Sequence, residues 1–153
     1  FLKQKEFNDA TLLTTWPIDL HFPLEKYKNT IPGKPFIARA EQGEGLDKYK
    51  GYPIPYRMLY SRNVPNLFMA GRNISVNRDA LGSIRVMKTI GMMGVTIGRA
   101  AALATARDCM PRDIYTKHLD EAKVLWKKPG SERVESVDAL RKSLDEKPKT
   151  PSL

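Results

Sequence analysis

Three groups of residues have the types and spacing for chemistry. Asp19 and His21 stand two apart, so on a strand both point to one face and the carboxylate can orient the imidazole toward a substrate. The same spacing also suits the exposed polar face of an edge strand. Tyr56 and Arg57, with Tyr60, form the second group; Arg57 can hold a carboxylate or other anion, or serve a structural salt bridge. The third is Gly71, Arg72 and Asn73, directly after the apolar run Leu67–Ala70. They sit where the chain would leave a strand's carboxyl end, and there open α/β sheets bind ligands. The lone Cys109 allows no disulfide within the chain and no thiolate cluster, and His21 and His118 have no metal-ligand spacing.

The elements that must position these groups are legible in part. Leu67–Ala70, bounded by Pro65 and Gly71, reads as a short strand covered on both faces. Ser83 is placed to cap a long helix, with Gly82 before it allowing a sharp turn. Ile84, Met87, Gly91, Gly94, Gly98 and Ala101 then recur at spacings of three and four, so they share one helix face. Each interior glycine costs roughly 1 kcal/mol relative to alanine. Three on one face need a compensating reason, and close approach of another backbone is the usual one. Val86, Ile90, Met93, Ile97 and Ala104 make an adjoining apolar stripe, so the helix reads as largely buried. Strand, loop and helix together form a cofactor edge of an α/β domain.

Composition narrows the partners. The 153 residues carry a net charge of +9. From Lys50 to Arg107 inclusive there are nine Lys and Arg against the single acid Asp79, so most of the excess lies around this unit. The bases are dispersed through apolar sequence and not clustered on a polar face, which fits an anionic small molecule such as a dinucleotide pyrophosphate at least as well as nucleic acid. A membrane span is not expected, because only ten uncharged residues separate Lys88 from Arg99, short of roughly 20. The start at Phe1, with neither a cationic start nor a signal-like stretch, reads as a fragment of a longer product.

The remaining chain supports fewer assignments. Residues 1–10 read as the tail of a preceding element. Thr11–Phe22 has strand composition interrupted by Pro17, which favours an edge or bulge. Residues 23–35 read as a loop and Phe36–Ala40 as a short strand. Gly43 and Gly45 begin a dinucleotide-like pattern, but Lys48 occupies the third glycine position and no helix follows. The chain therefore lacks a first-strand phosphate loop of its own. Pro53 and Pro55 exclude a central strand over their positions, leaving Met58–Tyr60 as the strand-competent half. Pro111 opens a helix with Ile114, Leu119, Ala122, Leu125 and Trp126 inward. A further helix is expected from about Val134 to Leu144, then a disordered end over EKPKTPSL.

Taken in order, WPIDLHFP, YPIPYRMLYSRNVPNLFMAGRNISV, ALGSIRVMKTIGMMGVTIGRAAALA and PRDIYTKHLDEAK resemble the C-terminal part of bacterial FAD-dependent oxidoreductases of the glutathione-reductase-like superfamily, over roughly residues 11–126. The resemblance implies an α/β fold: the last strand and long helix of a Rossmann-like, two-dinucleotide-binding-type FAD domain over residues 61–108. Residues 1–60 would end an inserted substrate-side domain, and residues 109–153 would form a helical C-terminal extension. The implied partners are an N-terminal glycine-rich FAD-binding portion, in the same product or a companion chain, and a small organic substrate.

By the same resemblance Gly71 lies near the ribityl and phosphate region of FAD. Many relatives carry an acid after this glycine; here Arg72 and Asn73 stand there, and Arg72 suits phosphate charge. Leu81, Gly82, Ser83, Ile84 and Arg85 match the segment that brings a helix N-terminus to the flavin ring, with N–H groups of Gly82 to Ile84 facing its N1/O2 edge. Asn77-Arg78-Asp79 replaces a Thr-His pair of relatives. The implied reaction is hydride transfer from an organic substrate to FAD, with His21, Tyr56 and Arg57 as candidate catalytic groups. The alternatives are a truncated or degenerate flavoprotein relative acting as a non-catalytic binding or structural module, and a basic nucleic-acid-binding protein.

Overall fold

The computed structural model describes residues 3–23, 38–42 and 49–146. The Gly43/Gly45 pattern, most of the expected loop at 23–35 and nearly all of the expected disordered end lie outside the described residues. The chain is a mixed α/β structure of two small sheets and five α-helices among the described residues. Strand β1 (Ala10–Thr14) pairs antiparallel with β4 (Tyr52–Pro55), and β2 (Asp19–Pro23) with β3 (Ala38–Gln42). The helices are α1 (Arg78–Ile84), α2 (Met87–Ala106), α3 (Pro111–Thr116), α4 (Leu119–Trp126) and α5 (Val137–Asp145).

Pro17 separates β1 from β2, so the apolar stretch expected as one interrupted strand serves two sheets. Strand β4 corrects a second expectation. It occupies the proline-bearing half, Tyr52–Pro55, while Tyr56–Met58 forms a 3-10 turn. A two-stranded ladder leaves half its N–H positions without a partner strand, so Pro53 and Pro55 forfeit little. Thr11 Oγ1 donates to Ile54 O at 2.8 Å and ties the pair further.

The expected last strand, Leu67–Ala70, is not a strand. It makes one isolated bridge, Tyr60 to Phe68, with Ser61 N donating to Leu67 O (2.9 Å) and Met69 N to Leu59 O (2.8 Å). Leu67 is exposed. A strand exists through its neighbours, and among the described residues only the 59–61 segment lies alongside.

The expected helix start at Ser83 is also corrected. Asn77 caps α1, accepting from Ala80 N at 2.9 Å, and the helical path breaks at Arg85 and Val86 before α2 begins. In an unbroken helix Ser83 O would accept from Met87 N; instead it accepts from Thr14 Oγ1 at 2.8 Å. Helix α2 is the centre of the core. Its Met93, Ala100 and Leu103 pack with Ile54, Leu59 and Ile114. By length and composition α2 is long and apolar enough to cross a membrane; here one face is core and its Arg99 binds backbone carbonyls of Lys128, Pro129 and Glu132.

The helix expected from Pro111 onward breaks at Lys117 and His118 into α3 and α4. Ser136 caps α5 by accepting from Ala139 N at 3.0 Å, and Leu140 and Leu144 bury its inner side. Arg107 gathers the helix ends, donating to Glu121 at 2.9 and 3.1 Å and to Asp145 at 2.7 Å.

Candidate functional site

The cofactor-side candidates come together around the start of α2. Gly71 opens a 3-10 turn, Gly71–Asn73, that packs on both α1 and α2. Its φ of +65° is a left-handed conformation that side-chain-bearing residues rarely adopt. A Cβ there would stand 3.5 Å from Ile90 Cγ2, ordinary contact, so backbone conformation and not space selects glycine. Arg72 and Asn73 are exposed, and Arg72 makes no ion pair among the described residues.

Gly82 is selected by space. A Cβ on it would meet Asp19 O at 2.6 Å, so only glycine lets α1 lie against the first residue of β2. Arg85 closes the same junction, its Nη2 reaching Asp19 O at 3.4 Å and Oδ2 at 3.5 Å. Asp19 is thereby engaged by Arg85. His21 lies in β2, paired with Ala40. Beneath the junction Thr14 Oγ1, Thr89 Oγ1 and Ser83 O form a buried chain, with 3.0 Å between the two hydroxyls.

The substrate-side candidates occupy another neighbourhood. Tyr56 is buried, and its hydroxyl donates to Pro111 O at 2.7 Å. Burial holds its proton far more firmly than in a free tyrosine, with Tyr60 and Cys109 adding to the effect. Arg57 pairs with Asp9 at 3.3 Å, and its guanidinium lies 5.7 Å from the Phe7 ring centre and 5.5 Å from that of Tyr115. Asp9 is fully buried and accepts from Arg57 N at 3.1 Å. Tyr56 and Arg57 thus tie β4 to α3 and to the segment before β1.

Leu81 to Ile84 sit inside or at the end of α1, where their N–H groups bond within the helix. The unspent donors lie one step later: Val86 offers no side-chain cap, so the first-turn N–H groups of Met87, Lys88 and Thr89 have no intrahelical acceptor. Helix α2 starts at Met87, four residues after the Ser83 start that the sequence pattern predicts, and Lys88 stands exposed in its first turn. A cation set among apolar residues at a helix's first turn is the sequence signal for it.

The glycine face of α2 is open. A Cβ on Gly91, Gly94 or Gly98 would find no atom within 4 Å among the described residues. The three line a cavity of about 510 Å³ whose far wall is the Gly130–Val134 loop that Arg99 pins. The backbone expected to approach these glycines is not among the described residues. The features suit a partly aromatic, anionic dinucleotide: a left-handed glycine turn, an exposed arginine and first-turn helix N–H groups, neither with a partner among the described residues. A family model described as FAD dependent oxidoreductase matches residues 1–122. No curated protein matches the chain. No solved structure matches it either.

Proposed function

The chain belongs to the FAD-dependent oxidoreductase family, and from that premise we propose that it forms the C-terminal flank of a flavin site serving hydride transfer from an organic substrate. The observation that carries this reading is the packing of the Gly71 turn against the uncapped start of α2. The left-handed Gly71 gives a backbone that a ribityl or phosphate group can approach closely, and Arg72 beside it neutralises phosphate charge. The first-turn N–H groups of Met87 to Thr89 would take the role the family resemblance implies for Gly82–Ile84, favouring negative charge on a flavin held there. Gly82, Arg85 and the Thr14–Ser83–Thr89 chain hold that start in place. When bound, FAD supplies the two-electron acceptor.

The wider reading is of a two-dinucleotide-binding-type domain in which residues 61–108 return to a sheet built by an N-terminal glycine-rich portion. That portion is the partner the open glycine face awaits, and the remaining partner is a small organic molecule, not nucleic acid. Arg72 and Asn73 in place of the usual acid favour a second reading, a relative that serves as a non-catalytic module. One experiment separates them. FAD affinity is measured for the protein purified from its own source and for Gly71→Val and Arg72→Ala variants. Tight FAD binding weakened by both changes is expected; no FAD binding by the unaltered protein supports the non-catalytic module.

A further inference from the structure

On the β1 side of the start of α2 lies a cavity of about 650 Å³, and we infer that it takes an organic monoanion, an apolar ring-sized body bearing a carboxylate. Leu13, Trp16, Met87 and Met92 line it and are 52, 47, 91 and 39 % exposed. Four large apolar side chains thus face one concavity, a clustering that marks a binding surface more than scattered exposure does.

Charge selects the other end of the ligand. Among the described residues no acid lines the cavity, and two cations do, Arg85 and Lys88. Arg85 is engaged by Asp19 at 3.5 Å. Lys88 makes no ion pair among the described residues, so the described wall presents one positive charge with no acid beside it. That single charge matches a carboxylate; a dianionic phosphate ester would carry one charge more than the one cation free of an ion pair balances. The floor is fixed, because Thr14 and Thr89 are buried and bonded to each other at 3.0 Å. The volume falls within the roughly 300–1,000 Å³ of small-molecule sites. Assigning the anion as the oxidised substrate rests on the flavin reading above; the anion site itself does not.

The test is calorimetric titration of the full chain with 2-naphthoate, 2-naphthamide and 2-naphthyl phosphate. The carboxylate is expected to bind about tenfold more tightly than the amide, the worth of one charge-assisted contact, and the phosphate no more tightly than the carboxylate. Lys88→Met should erase the preference and Lys88→Arg retain it, while Trp16→Ala weakens carboxylate and amide alike. Equal affinity for carboxylate and amide, a preference surviving Lys88→Met, a tighter phosphate, or no binding at all would overturn the site. Flavin content of the same preparations is read separately. Carboxylate binding without flavin defeats the flavin reading and leaves the site standing; flavin without the carboxylate preference defeats the site alone.

Discussion

The carbonyl oxygen of Asp19 lies against Gly82 so closely that a Cβ on the glycine would stand 2.6 Å from it. Two segments more than sixty residues apart in sequence therefore meet through backbone alone, and the Arg85–Asp19 contact locks the meeting. Gly82→Ala is expected to destabilise the fold by about 1–3 kcal/mol, because overpacking against backbone outweighs alanine's helix propensity. Chemical denaturation measures it; an unchanged midpoint would show that β2 and α1 are not in contact.

Gly94 should respond in the opposite direction. Among the described residues nothing lies within 4 Å of a Cβ there, so Gly94→Ala is expected to stabilise the isolated chain by up to about 1 kcal/mol. If a backbone from the glycine-rich portion packs on this face, the same substitution should weaken that association. Thermal melts and an association assay on one variant separate the two effects.

Those two glycines show what was legible in the sequence and what was not. The three-and-four spacing put Gly91, Gly94 and Gly98 on one face, but spacing cannot say whether that face is filled, and it is open. In sequence Gly82 reads as a turn before a cap, because its reason for being glycine lies in β2, far away along the chain. Leu67–Ala70 has a strand's composition without the neighbours that would make it one. At the break before α2 Ser83 O accepts from Thr14 Oγ1, a tertiary bond that no local pattern encodes. Residue types alone also left Arg57 open between anion clamp and salt bridge, and buried Asp9 shows where it is engaged.

Arg57→Ala should therefore act on stability before chemistry. It leaves the fully buried Asp9 carboxylate with only a backbone N–H partner from position 57. A loss of about 1–3 kcal/mol is expected, since removing one partner leaves the other unsatisfied. Asp9→Asn in the same background should recover part of it, with FAD affinity unchanged in both. A selective fall in FAD affinity would instead return Arg57 to the site.

Acid should release one contact at the surface of α3. The Lys117 ammonium at 2.9 Å, and next the Met110 N–H, hold the Asp113 carboxyl below the usual carboxylate range. A depressed folded value means the contact contributes fully above the unfolded carboxylate value and is lost as pH falls through the folded one. Carboxyl-detected NMR should place the Asp113 midpoint below that of an unpaired aspartate, and Lys117→Met should raise it. A midpoint indifferent to Lys117→Met would contradict the pairing.

The central claim is that the Gly71 turn and the start of α2 flank a flavin. The most direct measurement is the visible absorption spectrum, with flavin stoichiometry, of the protein purified from its own source and supplied with FAD. A flavin spectrum accompanying this chain at close to one FAD per copy is the expected result, with bleaching when a reductant is added. Protein that stays colourless after reconstitution with FAD would contradict it.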